Sequence, residues 1–247
     1  MKNEQIKHGD VFRTNEGGSV TVVEYRGCTE VVIKHNDEHA HIATVHAHQL
    51  RKGQVKNPYH RSIFGVGFIG IGNHLVSVNG KDTPAYATWR RMLERCYCTK
   101  YHARRPTYIG CSVHPDWCNF QNFAEWFERQ YFATCWQLDK DLMSEGNKIY
   151  SADTCVFVPQ QLNSLLTDCG ASRGDLPQGV SRNGKGYQAS LSVDGNRHQL
   201  GAYATPEEAF EVYKLAKEYN VKRMAEQYRC LIDPRVYDSL MRYEVTK

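Results

Sequence analysis

The sequence predicts an α+β protein, and three observations carry that prediction. Short β-prone runs separated by turn residues occupy both ends of the chain, amphipathic helical stripes occupy its middle, and a long capped helical stripe follows the last strands. The expected organisation is a small barrel-like β module over 1–62, a glycine-rich connector over 63–82, a central strand–strand–helix region with flanking helices over 83–170, and a C-terminal β-β-β-α domain over 171–247.

In the first segment, Gly9 to Phe12 starts a short strand, and the runs Ser19 to Tyr25, Glu30 to Lys34 and His41 to His46 follow at strand length with Gly and Asn/Asp between them. Four short strands at this spacing suggest a small barrel or meander. His39, His41, His46 and His48 invite a metal reading, because residues two apart in a strand share a face. No carboxylate or thiol stands at matching spacing to complete such a site, so they are read as the polar face of a hairpin. From Ile63 to Asp82 the chain carries Gly65, Gly67, Gly70, Gly72 and Gly80 without helical periodicity, which reads as a connector with a short hairpin. No strand–GxGxxG–helix arrangement or Walker lysine accompanies these glycines, so they are not a phosphate cradle.

The central segment opens with Thr83-Pro84, a cap and first-turn pair, after which Trp89, Met92, Leu93 and Cys96 recur at helical spacing. Phe120, Phe123, Trp126 and Phe127 form a second apolar stripe, read as core. Trp136 to Leu142, a loop from Met143 to Thr154, Cys155 to Pro159, and Gln160 to Leu166 then read as strand, long loop, strand and short helix. In the last segment, Gly179 to Arg182, Tyr187 to Val193 and His198 to Tyr203 are three strands joined at Asn183-Gly184 and Asp194-Gly195. Thr205-Pro206-Glu207-Glu208 starts the closing helix, which Phe210, Tyr213, Ala216 and Ala225 extend along one face toward Tyr228.

Composition narrows the function classes. Apolar residues at 41% and aromatics at 11% build real cores, which excludes global disorder. No run approaches the length of a membrane span and the opening MKNEQIKHGDVF has no signal-peptide apolar stretch, so no membrane partner is expected. Nine scattered cysteines, an odd number, point to free thiols in a reducing cytoplasm. The net charge of +4 says less than its distribution: Arg90, Arg91, Arg95, Lys100, Arg104 and Arg105 face only Glu94 between Trp89 and Arg105. Such a cluster attracts phosphate, Arg90 and Arg91 being the candidate contacts, unless it is simply a solvated helix face.

The segment from Gly179 to about Tyr228 resembles the AP2 DNA-binding domain. The matching residues are Gly179-Val180, Tyr187 before Ala189 and Leu191, and Leu200-Gly201-x-Tyr203 running into Thr205-x-Glu207-Glu208-Ala209. The resemblance implies a sheet lying in the major groove of double-stranded DNA. Strand alternation turns Tyr187, Ala189 and Leu191 toward the helix and Gln188, Ser190 and Ser192 outward, and Arg182, Arg197 and Gln199 are expected to join them. Arginine reads guanine, glutamine reads adenine and serine is permissive. Ser181, Ser190 and Ser192 stand where plant-type AP2 sheets carry arginines. The alternative is a module for protein contacts.

The pattern Leu138-Asp139-Lys140-Asp141, Gly146-Asn147-Lys148, Tyr150-Ser151, Thr154 to Val158 and Asn163 resembles the HNH-type endonucleases of bacteriophages, a group in which an HNH-like region precedes an AP2-like one. That resemblance implies an HNH-like ββα centre, a DNA endonuclease of homing type using Mg²⁺ or Mn²⁺, and a location in the cytoplasm of a bacterial host. The site it implies is Asp139, Lys140, Asp141 and Asn163, with Asp139, Asp141 and Asn163 as metal ligands. The usual base histidine is missing. Either a carboxylate replaces it and the site cuts, or the fold persists as a scaffold that binds DNA or, through residues 1–62, a host protein. His114 as a base from a neighbouring element, and a structural zinc on Cys111-x-x-His114 with Cys118 or Cys155, are weaker readings of the same stretch.

Overall fold

A computed structural model describes residues 5–130, 136–144, 146–166, 175–193 and 195–245. Helix and sheet are mixed as the α+β prediction requires, and the chain divides into two compact units, Met1–Glu128 and Arg129–Lys247. Asp194 of the expected Asp-Gly turn lies outside the described residues.

The first unit begins with a four-stranded antiparallel meander of β1 (Val11–Arg13), β2 (Ser19–Gly27), β3 (Glu30–His35) and β4 (Ile42–Val45) in sequential order. Among the described residues this sheet does not close into the expected barrel, because β1 and β4 remain its edges. Four strands are too few to wrap around a core; even the smallest barrels take about five. The open face is covered instead by α1 (Ala47–Arg51), whose Ala47 and Leu50 pack on Val20, Val22, Val31 and Ile33.

The glycine-rich stretch ends in the hairpin β5 (Ser77–Val78) and β6 (Lys81–Asp82), turned at Asn79 and Gly80, both with positive φ. Gly67, Gly70 and Gly72 are wedged rather than loose. A Cβ at Gly67 would lie 2.4 Å from Leu93 Cδ1 and 2.9 Å from the Trp89 ring. Close approach therefore packs this segment onto α2 (Pro84–Tyr97), started by the Thr83 hydroxyl accepting from Tyr86 N–H as the cap signal predicted. After α3 (Thr99–Arg104), a 3-10 turn at Pro106–Tyr108 and β7 (Ser112–Val113), the apolar stripe of α4 (Phe120–Glu128) meets that of α2. Trp89, Phe120 and Phe123 are fully buried there, and the Trp89 indole donates to the Trp117 carbonyl at 2.7 Å.

The second unit contains a two-stranded antiparallel pair, β8 (Trp136–Asp139) with β10 (Val156–Pro159), the stretch between them holding β9 (Ile149–Tyr150). The helix α5 (Gln160–Leu166) follows β10 directly. A three-stranded antiparallel sheet of β11 (Val180–Asn183), β12 (Gly186–Val193) and β13 (Asn196–Tyr203) leads into α6 (Pro206–Tyr228), which opens with the predicted capping box between Thr205 and Glu208. One helix serves two cores. The first half of α6 gives Ala209, Phe210 and Tyr213 to the sheet, against Ala189 and Leu191. Its second half gives Val221, Met224 and Ala225 to the β8–β10–α5 region, against Val156, Val158 and Leu162. A final helix, α7 (Pro234–Met241), closes that second core with Val236 and Leu240. The strand–loop–strand–helix and β-β-β-α regions, expected as separate domains, are thus built on a shared helix.

Candidate nucleic-acid interface

The β11–β12–β13 sheet has one face covered by α6 and one face open. On β12, Ala189 and Leu191 are buried against the helix, which turns Gln188, Ser190 and Ser192 the other way. Directly paired residues of neighbouring strands share a face, so the pairings Ser190 with Gln199 and Ser192 with Arg197 place both β13 side chains outward. Simple alternation back from Tyr203, which pairs with the helix-facing Tyr187, would have put them on the helix side. A bulge between the Ala189–Gly201 and Ser190–Gln199 pairs changes the phase. Leu200 is its extra residue and packs with the helix-side core, while Gly201 takes φ +135°, a backbone conformation that side chains disfavour.

The outward surface is therefore Ser181, Gln188, Ser190, Ser192, Arg197, Gln199 and Ala202, with no carboxylate among these strand residues. Ser192, Arg197 and Gln199 are exposed and Gln188 and Ser190 half-buried. Arg197 Nε donates to Ser190 Oγ at 3.0 Å, a contact that holds the guanidinium across the sheet.

Arg182 departs from the expectation. It pairs with Tyr187, not with Gln188, and so lies on the helix side at the sheet margin, exposed and with its guanidinium 5.7 Å from the Tyr187 ring centroid. Its neighbour Val180, two residues away, packs into the same core. That two-residue spacing was the signal available in the sequence.

In the β8–β10–α5 region, Asp139, Lys140 and Asp141 come together where β8 ends. Asp139 Oδ1 accepts the backbone N–H groups of Asp141 at 3.0 Å and Leu142 at 2.7 Å, turning the chain out of the strand. Asp141 is thus in the turn rather than on a strand face shared with Asp139. Burial, and then the adjacent Asp141 charge, push the Asp139 carboxyl above the usual aspartate range. The buried Lys140 ammonium donates to Asp141 Oδ2 and to the Asn147 carbonyl, each at 2.8 Å. Asn147 answers with its amide, donating to the carbonyls of Lys140 at 2.7 Å and Ile149 at 2.8 Å. The two residues clasp the loop shut, a role that the Asn147 motif position did not reveal.

Asn163 is held elsewhere: its amide donates to Gln137 Oε1 at 2.8 Å, tying α5 to β8. The three expected metal ligands are therefore divided between a turn cap, an ion pair and a helix–strand brace. Among the described residues no three His, Cys, Asp or Glu side chains form a cation-binding group. This arrangement does not fit a divalent ion as it stands, since an ammonium already occupies Asp141. Cys155 beside the loop is buried, and desolvation pushes its thiol up to about 12, so it is protonated and unreactive at neutral pH.

In the first unit, Arg90 is about half exposed and lies 3.8 Å from Asp82, and Arg91 is exposed on α2. The histidines fall into two groups: His39 stacks on Tyr59 at 4.1 Å and His41 on His35 at 5.8 Å, while His46 and His48 meet edge-on at the start of α1. Among the described residues no helix is long and apolar enough to cross a membrane. No family model, curated protein or solved structure matches the chain.

Proposed function

We propose that this chain binds double-stranded DNA through the open face of the β11–β12–β13 sheet. One observation carries the reading: Gln188, Ser190, Ser192, Arg197 and Gln199 share a single unpacked surface without a strand carboxylate. A β surface of this kind fits the major groove, where arginine and glutamine read guanine and adenine through paired hydrogen bonds. Arg182, at the sheet margin, contacts the phosphate backbone rather than a base edge. The resemblance to AP2 sheets points to the same use.

Fluorescence anisotropy with a labelled mixed-sequence duplex at low salt tests the reading. The parent binds, and Arg197→Ala/Gln199→Ala weakens binding by about tenfold or more, the worth of one paired base contact. A parent that does not bind, or a double variant that binds as well, overturns it.

In this reading the β8–β10–α5 region is a scaffold whose loop Lys140 and Asn147 lock. The resemblance to HNH endonucleases carries a second reading, metal-dependent strand cleavage, which requires the Lys140 ammonium to leave Asp141 first. Nicking of supercoiled plasmid with Mg²⁺ or Mn²⁺ that is abolished in both Asp139→Ala and Asp141→Ala would establish the second; retention of binding without nicking at protein excess leaves the first.

A further inference from the structure

The first unit carries a basic surface of a different kind from the sheet. Between Glu94 and Asp116 the sequence contains no acid, and it contains Arg95, Lys100, Arg104 and Arg105. The helix α3 and the 3-10 turn after it fold this stretch into a knuckle in which no residue of α3 is buried. Lys100, Arg104 and Arg105 are exposed, and among the described residues they make no ion pair.

Aromatic rings are interleaved with these charges. The Arg104 guanidinium lies 5.9 Å from the Tyr101 ring centroid and Arg95 lies 5.6 Å from that of Tyr108. The two tyrosines meet edge to face, 5.6 Å apart at 71°. His102 fixes the knuckle to α2 through a 2.8 Å hydrogen bond with the Arg95 carbonyl. Ile109, 60% exposed, extends the apolar strip past Tyr108.

We propose that this knuckle binds single-stranded DNA, its cations tracking the phosphates while its rings and the guanidiniums over them receive unpaired bases. Charge alone attracts any nucleic acid, but π-faces interleaved with it select strands whose bases are unstacked and free to turn outward. A duplex hides those faces and offers only base edges, and α3, which carries Lys100, Tyr101 and Arg104, is a six-residue helix too short to run along a groove. The choice of DNA over RNA rests on the duplex-DNA reading of the sheet, since neither stacking nor charge reads the sugar.

The test uses the full-length chain with labelled oligothymidine and oligouridine across a salt series. The parent binds oligothymidine at low salt. Arg104→Ala/Arg105→Ala lowers affinity by about tenfold and reduces the slope of log affinity against log salt by about 1.4, as loss of two phosphate contacts on a single strand requires. Tyr101→Leu lowers affinity several-fold with the slope unchanged, and Tyr101→Phe, which keeps the ring, restores it. The sheet variant Arg197→Ala/Gln199→Ala binds oligothymidine as the parent does, so failure of the sheet reading and of this one are separable. No oligothymidine binding by the parent, or unchanged affinity in the arginine double variant, overturns the proposal. Tighter binding of oligouridine than of oligothymidine overturns its assignment to DNA.

Discussion

Asp139 shows how one side chain can be committed to structure in a place where its motif suggests chemistry. Its carboxylate caps the turn after β8 through the N–H groups of Asp141 and Leu142, and burial raises its proton affinity. A group whose folded-state pKa is raised is favoured in its neutral form, so the charged form weakens the fold as pH rises through that raised value. Asp139→Asn keeps the acceptor and removes the charge. It is expected to raise the melting temperature at neutral pH and leave it unchanged in acid, where the parent carboxyl is already neutral. Asp139→Ala removes the acceptor as well and in acid loses about 1–3 kcal/mol, the worth of buried N–H groups left unpartnered. Thermal melts of the three proteins across pH check both. Lys140 follows the same logic: with its ammonium on Asp141 and the Asn147 carbonyl, it closes a loop and leaves no basic nitrogen to activate water.

Among the elements, the three-stranded sheet depends on two glycines for different reasons. Gly201 relaxes the bulge that sends Leu200 to the helix side and Arg197 and Gln199 outward. Gly179 precedes β11 with φ +75°, and a Cβ there would lie 2.0 Å from the Tyr213 ring. Gly179→Ala therefore combines an unfavourable backbone conformation with overpacking against α6, and about 1–3 kcal/mol of stability is expected to be lost. Because β11 forms one side of the proposed DNA surface, duplex affinity should fall in the same variant. A melting temperature equal to the parent's would show that α6 can shift away from the sheet without cost. The same helix illustrates why a single apolar stripe is a coarse guide. Phe210 and Tyr213 enter one core and Val221, Met224 and Ala225 enter another, on a stripe that reads as continuous in the sequence.

For the whole molecule, acid acts on the two units in opposite directions. In the first unit His35 is buried, its Nε2 without a hydrogen-bond partner among the described residues, and burial lowers its pKa. Such a histidine is neutral when folded; its stabilising effect is present above the unfolded value of about 6.5 and is lost as pH falls below it. Asp37 and Glu16 oppose this loss and His41 adds to it. In the second unit the sign is opposite: the Asp139 carboxyl is held above the usual aspartate range and is favoured neutral, so its protonation strengthens the fold. Calorimetric melts from neutral pH toward pH about 5 should therefore broaden or divide as one core weakens and the other does not. His35→Phe, which keeps a ring against His41, should remove the acid sensitivity of the weaker transition. An acid sensitivity that persists in that variant would place its origin in another group.

The sequence by itself determined the local framework: helix starts at Thr83 and Thr205, a short hairpin at the end of the glycine-rich stretch, the tight turn at Gly184 (one residue later than Asn183-Gly184 suggests), and the alternation of β12, because caps, left-handed turns and two-residue periodicity act over a few neighbours. It also placed Asp139, Lys140 and Asp141 at one strand end. What only the tertiary structure decided was every matter of which partner answers a side chain. The phase of β13 depends on a bulge against β12, the open edges of the first sheet on a helix arriving to cover it, and the state of Lys140 on an asparagine seven residues away. These are outcomes of long-range packing and hydrogen-bond satisfaction, and periodicity along a chain carries no record of them.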